Sequence, residues 1–192
     1  MLRLCAMMLT LSACGTSARF MMEVHPPRPI AAQADAAAIV FVRPSKLAFA
    51  VSANIIDEQA HFIGDIPAAG HFSAMVAPGH HVFVIWAENT DALVADLLPG
   101  KIYFVEVEVG WGALSAHFHL KAIKPAQPNW AERDQWMIST TQYSADQMGG
   151  QANLYRKGSE AVQERLRRGM EHLSKYMGAD LDSRTLAPGD GI

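Results

Sequence analysis

Residues 101–123 read KIYFVEVEVGWGALSAHFHLKAI, and this stretch carries the clearest secondary-structure pattern of the chain. Between 101 and 109, valines occupy one parity and glutamates the other, which places them on opposite faces of an extended chain. Such alternation is typical of a β-strand that is buried on one face only. Two glycines flank Trp111 in the following turn, and the alternation resumes from 115 to 123. The stretch therefore predicts two consecutive strands that share a buried face.

The β pattern extends on the N-terminal side of this stretch. Short apolar runs recur from residue 37, beginning with AAIVFV at 37–42 and including HVFVIW at 81–86. Pro-Gly pairs at 78–79 and 99–100 interrupt the runs, and such pairs mark tight turns. Seven or eight short strands at near-regular spacing predict a mainly β fold. We expect a small antiparallel β-sandwich over residues 37–125.

The pattern changes to a helical period after the prolines that precede residue 129, so residues 126–178 are expected to form a helical extension. Its clearest part starts at Ser159 and repeats apolar residues every three or four positions, at Val162, Leu166, Met170, Leu173 and Met177. This face is expected to cover the sandwich. Two alternatives are an envelope protein partner and, through Arg165, Arg167, Arg168 and Lys175, an anionic lipid surface. The tail at 179–192 is expected to be disordered.

Composition limits the class of protein. The chain has 192 residues, with 16 Lys and Arg against 19 Asp and Glu, for a net charge near −3. A nucleic-acid binder would carry a basic excess, so we predict no nucleic-acid partner. No apolar run reaches the roughly 18 residues that a membrane-spanning helix needs. The 2 cysteines cannot form a disulfide framework.

The N-terminus has the layout of an export signal. Arg3 precedes a short apolar run at 4–11, and small residues close it at 12–15. The sequence Leu11-Ser12-Ala13-Cys14 also resembles the bacterial lipobox. That resemblance implies that residues 1–13 are a lipoprotein signal peptide and that Cys14 is the lipidation site. The residues alone also fit an ordinary cleaved signal peptide that ends near an unrelated cysteine.

Lipidation would fix the compartment and the remaining chemistry. Cys5 would leave with the signal peptide and Cys14 would become a thioether, which excludes thiol catalysis and cysteine-based zinc sites. The residue after Cys14 is Gly15, whereas an Asp there resembles an inner-membrane retention signal. This implies a bacterial cell-envelope location, at the outer membrane facing the periplasm if the host is double-membraned. Residues 14–36 are expected to form a lipidated N-terminus followed by a Pro/Ala-rich tether.

Residues 38–124 contain a series of short motifs at strand ends and turns. They are Val42-Arg43-Pro44-Ser45, Gly64, Pro78-Gly79-His80, Pro99-Gly100-Lys101-Ile102-Tyr103 and Val109-Gly110-Trp111-Gly112. In their order and spacing they resemble a family of bacterial envelope lipoprotein domains of unknown function with a transthyretin-like or immunoglobulin-like β-sandwich. The resemblance implies a fold and a compartment, and it supplies neither an activity nor catalytic residues.

One polar constellation could bind a metal. Glu106 and Glu108 share one face of the first predicted strand, and His117 and His119 share one face of the second. If Glu108 pairs with His117 and Glu106 with His119, two carboxylates and two imidazoles could hold zinc or copper. The alternative is a solvated face with ordinary cross-strand pairs, which is the default for an alternating strand. We therefore assign no cofactor.

The sequence favours a non-catalytic function. Ser, His and Asp are present, but no Gly-x-Ser-x-Gly elbow, P-loop or dinucleotide motif accompanies them, so an uncharacterised hydrolase is a minor alternative. We predict a membrane-anchored envelope lipoprotein that acts as a binding or scaffold module. The alternative is a metal- or glycan-binding envelope protein that uses the Glu/His face or Trp111.

Overall fold

The computed structural model describes residues 18–51, 53–112, 115–125 and 127–192. The described strands are β1 Met21–Glu23, β2 Ala37–Arg43, β3 Asn54–Asp57, β4 Phe62–Asp65, β5 Gly70–Val76, β6 Gly79–Trp86, β7 Thr90–Leu97, β8 Ile102–Trp111, β9 Ala116–Ile123, β10 Thr141–Ala145 and β11 Thr185–Leu186. The helices are α1 Asn129–Ser139, α2 Gln147–Lys157, α3 Ser159–Leu173 and α4 Gly178–Asp182, with a short 3-10 helix at Pro188–Asp190.

The strands form two sheets that pack face to face. One has the order β1-β10-β5-β2-β8-β9 and the other β11-β7-β6-β3-β4. The mainly β fold with a C-terminal helical part is confirmed, but the expectation of seven or eight antiparallel strands is wrong. The described residues contain eleven strands, and both sheets are mixed because β2–β8, β10–β5 and β11–β7 pair in parallel. The chain between β2 and β8 forms β5 on the other side of β2 and β3, β4, β6 and β7 in the opposite sheet, which gives the long connection that a parallel pair needs.

Aromatic side chains join the two sheets at their centre. The Phe41 ring of β2 lies 5.4 Å from Phe72 of β5, in a stacked arrangement, and 5.6 Å from Phe83 of β6, edge to face. All three side chains are fully buried in one core cluster. Burying each such ring contributes roughly 1.5–3 kcal/mol, and the ring pairs add to this. The alternating inward residues of β2, β5 and β6 therefore hold the sheets together.

Helices cover the outer faces of both sheets. Trp130 and Trp136 of α1 pack on the outer face of the six-stranded sheet. Helix α3 lies on the outer face of the five-stranded sheet. It approaches closely because Gly169 lacks a side chain, and a Cβ there would lie 2.9 Å from a Val84 methyl. The apolar face of α3 thus packs on its own sandwich, although Met170 and Met177 of the predicted stripe remain exposed.

Both terminal segments differ from their predictions. Residues 18–36 were expected within a tether, yet β1 pairs with β10 and Gly100 donates to the carbonyl of Gln33. Residues 179–192 were expected to be disordered, yet β11 pairs with β7 and Ile192 exchanges two backbone hydrogen bonds with Ile102. Neither segment has an apolar periodicity, because each is held by backbone hydrogen bonds to a strand edge together with single apolar side chains such as Met21 and Leu186.

The buried Arg43 organises the loop that follows β2. Its guanidinium donates to the carbonyl oxygens of Leu47 and Ala48 and lies 4.9 Å from the centre of the Phe118 ring. Burial lowers the pKa of Arg43 to about 10, and the nearby charge of Asp65 opposes that shift. The side chain therefore stays charged at neutral pH and fixes this end of the sandwich.

The C-terminal segment is expected to contribute to stability through Leu186, which is 0% exposed and belongs to the central core. Leu186→Ala should lower the free energy of unfolding by about 2–5 kcal/mol, because it leaves a cavity. Leu181→Ala is the matched control, since that side chain is partly exposed on α4 and should change stability by about 0.5 kcal/mol or less. Urea denaturation measures both, and equal small effects would show that the segment is not part of the fold.

Candidate binding cleft

Strands β5 and β10 part within the six-stranded sheet and leave a cleft of about 1020 Å³. Their ladder covers three residue pairs and ends where Tyr143 faces Phe72. Strand β5 continues to Val76 beyond that point. We call this space the edge cleft; its walls are residues 22–25, 28–30, 57–59, 61–63, 73–77, 81, 83, 142–145 and 147. One margin of β5 thus faces the cleft where β10 no longer pairs with it.

The β3–β4 hairpin places an imidazole at the rim of the edge cleft. Asp57 Oδ1 accepts hydrogen bonds from the backbone N–H groups of Gln59 and His61, which closes the turn. Its other oxygen, Oδ2, lies 2.9 Å from His61 Nδ1. The carboxylate that shapes the turn therefore also orients the His61 ring.

A second imidazole, His81, is held inside the edge cleft. Its Nδ1 lies 3.4 Å from Glu58 Oε1, and its Nε2 lies 2.8 Å from the Ala77 carbonyl oxygen. The ring stacks on Phe83 at 5.9 Å. Glu58 is itself fixed, because its Oε2 accepts a hydrogen bond from the Val82 N–H. His81 is thus a polar group of the cleft wall that contacts with Glu58, Ala77 and Phe83 hold in place.

The third wall of the edge cleft is the segment that follows β1. The side-chain amide of Gln142 binds both backbone groups of Arg28: its Oε1 accepts from the Arg28 N–H at 2.6 Å, and its Nε2 donates to the Arg28 carbonyl at 2.9 Å. His25 pairs with Glu23 on the same segment. The cleft therefore combines three imidazole–carboxylate pairs with an apolar floor, which suits recognition of a polar ligand.

The arrangement lacks the geometry of a nucleophile and base. Among the described residues, the one His–hydroxyl pair in hydrogen-bond contact is His71 and Thr140, with Nδ1 and Oγ1 2.7 Å apart. Both residues are buried, and the Thr140 hydroxyl donates to the Trp136 carbonyl. The hydroxyl therefore accepts from His71 instead of giving a proton to it, opposite to what nucleophile activation requires.

The four candidate metal ligands on β8 and β9 are not brought together as proposed. Glu108 faces His119, whereas Glu106 faces Lys121 and His117 faces Gly110, so the register is shifted by two residues from the expected one. Glu106 instead lies beside Asn129 of α1, and burial raises its pKa. Within the described part of the chain, no group of three or more His, Cys, Asp or Glu side chains is arranged to hold a metal ion.

His119 belongs instead to a buried polar cluster that the sequence analysis missed. Asp91 Oδ2 lies 3.2 Å from His119 Nδ1, and its Oδ1 lies 3.2 Å from the Tyr176 hydroxyl and 3.4 Å from Arg184 Nε. Burial alone would raise the pKa of Asp91, but the His119 hydrogen bond and the Arg184 charge outweigh it and lower the pKa. The residues come from β7, β9 and two C-terminal positions, so no sequence spacing could reveal the cluster.

The remaining predicted site residues have varied surroundings. Trp111 is 71% exposed at the β8–β9 turn, as a glycan-binding residue would be. Trp86 contacts both α2 and α3, with Lys157 Nζ 4.1 Å and the Arg165 guanidinium carbon 5.1 Å from its ring centre. On the outer side of α3, Arg167 and Arg168 pair with Glu164, so little basic excess faces solvent. Cys14 and the signal peptide lie outside the described residues.

Comparison with known proteins assigns no family. No protein-family model matches the chain, and no curated protein matches it. Among the described residues, no helix has the length and apolar character needed to cross a membrane. The features that bear on function are therefore the geometry of the edge cleft and the sequence of the N-terminus.

The histidine in the buried pair should make stability depend on pH. Burial lowers the pKa of His71 below its ordinary value of 6.5, so the folded protein keeps this ring neutral. The unfolded chain takes up the proton first as the pH falls, so this contribution is complete above about pH 6.5 and is lost below it. Denaturation at a series of pH values should therefore show a flatter acidic decline for His71→Gln than for the natural protein. An unchanged decline would contradict this.

Zinc titration should show no saturable binding at the β8–β9 face, because His119 is engaged by Asp91 and the register separates the other candidates. Calorimetry of the natural protein, of His117→Ala and of His119→Ala is the measurement. Stoichiometric binding that His117→Ala or His119→Ala abolishes would contradict the prediction and restore the metal-binding alternative.

Proposed function

We propose that this protein is a lipid-anchored, non-catalytic binding module of the bacterial cell envelope, and that the edge cleft is its binding site. The anchor is a lipid on Cys14. The compartment is the outer membrane facing the periplasm in a double-membraned host, in keeping with Gly15 after the cysteine. The observation that carries the binding role is the parting of β5 from β10 beside a cleft of about 1020 Å³.

The geometry of the edge cleft favours an extended peptide as its ligand. Residues 73–76 of β5 are in strand conformation and line the cleft beyond the end of the β10 ladder. A strand margin presents backbone N–H and C=O groups at regular spacing, which a further extended chain can pair with. Backbone pairing gives affinity for extended peptides in general, and the side chains around it select among them.

The fixed polar groups of the edge cleft would supply that selectivity. The His61 ring is oriented by Asp57, and His81 is fixed between Glu58 and the Ala77 carbonyl. Groups that are already held in place lose little conformational entropy when a ligand binds. They would favour a peptide whose polar side chains complement imidazole and carboxylate groups.

The edge cleft is a better partner site than the C-terminal helix. The apolar residues Val162, Leu166 and Leu173 of α3 are buried against the five-stranded sheet. The outer side of α3 carries ion pairs such as Lys175 with Glu171, and exposed pairs of this kind contribute little binding energy. We therefore place the envelope protein partner at the edge cleft.

Site-specific photocrosslinking tests the proposal. A photoreactive amino acid replaces Met75, which lines the edge cleft and is 42% exposed. The matched control replaces Met170 on α3, which is 48% exposed and does not line the cleft. Cells that produce the full-length protein are irradiated, and the crosslinked segments are identified by mass spectrometry.

We expect position 75 to give one discrete adduct to an extended segment of a single envelope protein, and position 170 to give none. Equal adducts from both positions would contradict a cleft-specific ligand. Adducts to sugars alone at position 75 would contradict a peptide ligand and favour the glycan alternative.

A further inference from the structure

The chain enters the fold at the start of α2. The Phe20 carbonyl accepts a hydrogen bond from the Asp146 N–H at 2.8 Å, and the Phe20 ring packs edge to face on Phe62 at 6.0 Å. Phe20 also contacts the first turn of α2, because a Cβ on Gly149 would lie 3.2 Å from Phe20 Cδ1. The position of residues 18–20 is therefore fixed beside the N-terminal end of this helix.

The distance from Cys14 to this point is short. Four residue steps separate Cys14 from Ala18, and a chain cannot extend by more than about 3.6 Å per residue. A lipid on Cys14 therefore lies within about 14 Å of Ala18, whatever path the chain takes. The long tether that the sequence suggested is reduced to these few residues, so a bilayer that holds the lipid must lie close to the start of α2.

The exposed side of α2 has the chemistry of a membrane-surface helix. Met148 is 85% exposed and Tyr155 is 76% exposed, and with Ala152 they are spaced at i, i+4 and i+7 on one face. The sequence of α2 contains no Asp or Glu, and the helix ends with Arg156 and Lys157. Apolar and aromatic groups flanked by basic residues are typical of helices that lie in the interface of an anionic bilayer.

The other side of α2 already has its structural role. Leu154 is buried in the cluster beneath α2 and α3. Gly150 contacts Phe62 so closely that a Cβ would lie 2.1 Å from the ring. The fold is thus complete without the exposed side. Arg19 and Met22 are also exposed, and they flank Phe20 and Met21 in the segment that meets the chain just before α2.

We propose that a membrane-docking face, formed by Arg19, Met22, Met148, Ala152, Tyr155 and Arg156, lies on the anionic surface of the bilayer that holds the Cys14 lipid. This inference rests on the lipid anchor of the proposed function. It assigns the anchored domain one orientation on the membrane. Because Met22 and Gln147 also line the edge cleft, the cleft opens beside the bilayer surface.

Site-directed labelling of the full-length, lipidated protein tests the membrane-docking face. The chain has 2 cysteines, and both are removed or acylated if Cys14 is lipidated, so a single introduced cysteine can carry a fluorophore. Labels are placed at Met148→Cys and Tyr155→Cys, with Met170→Cys on α3 as the matched control. The proteins are reconstituted in vesicles of phosphatidylethanolamine and phosphatidylglycerol that contain a lipid-borne quencher.

We expect several-fold stronger quenching at positions 148 and 155 than at position 170. Adding Arg19→Glu and Arg156→Glu, or using phosphatidylcholine vesicles, should reduce that difference, because the attraction to anionic headgroups is lost. The protein mass, measured first, separates the two proposals. An acylated protein with equal quenching at all three positions overturns the docking face alone, whereas a protein without acyl chains overturns the anchor and the docking face together.

Discussion

The fold depends on one constraint: the backbone N–H and C=O groups at the margins of both sheets need hydrogen-bond partners. Strand β9 shows this most clearly, since four of its N–H groups point away from β8. Three of these N–H groups donate to side chains: Ala116 to Glu88, Phe118 to Asn89 and Leu120 to Asp91. The fourth, of Ala122, donates to the Ser183 carbonyl. The four donor–acceptor distances lie between 2.7 and 3.2 Å. Unpaired groups of this kind are costly in a fold and promote aggregation at sheet edges.

The same constraint explains why both terminal segments are ordered. Strand β11 extends the five-stranded sheet beside β7, and β1 extends the six-stranded sheet beside β10. Asp91 takes part both in pairing the edge of β9 and in holding the C-terminal segment. Its carboxylate accepts hydrogen bonds from the Leu120 N–H of β9 and from Arg184 Nε. Asp91, His119 and Arg184 therefore have a structural role, because their contacts join the edge of β9 to the C-terminal segment.

The edge cleft is the exception to this constraint, because there part of the margin of β5 extends beyond the ladder with β10. Strand β10 follows β5 for three residue pairs and then turns toward β1, so the remainder of β5 faces a space instead of a strand. The binding site that we propose for an extended peptide is this incomplete part of the six-stranded sheet. The proposed anchor and membrane-docking face would place that feature at the bilayer surface.

The β8–β9 hairpin shows where sequence reasoning succeeds and where it stops. Alternation correctly assigned Val107, Phe118 and Leu120 to the buried face. It could not fix which residues face each other, because a shift of two positions leaves every side chain on its original face. The register expected for a metal site and the observed pairing of Glu108 with His119 are therefore equally consistent with the pattern.

The sequence by itself determined the β class of residues 37–125, the buried face of the hairpin and the apolar face of α3, because each depends on local periodicity. It also supplies the basis for the proposed lipidation of Cys14, which is a short linear motif. The tertiary structure alone decided the parallel pairings, the ordered termini, the Asp91 cluster and the edge cleft. These features join residues far apart in the chain, such as His119 with Asp91 and Tyr143 with Phe72, through backbone geometry and single polar contacts that leave no periodic trace in the sequence.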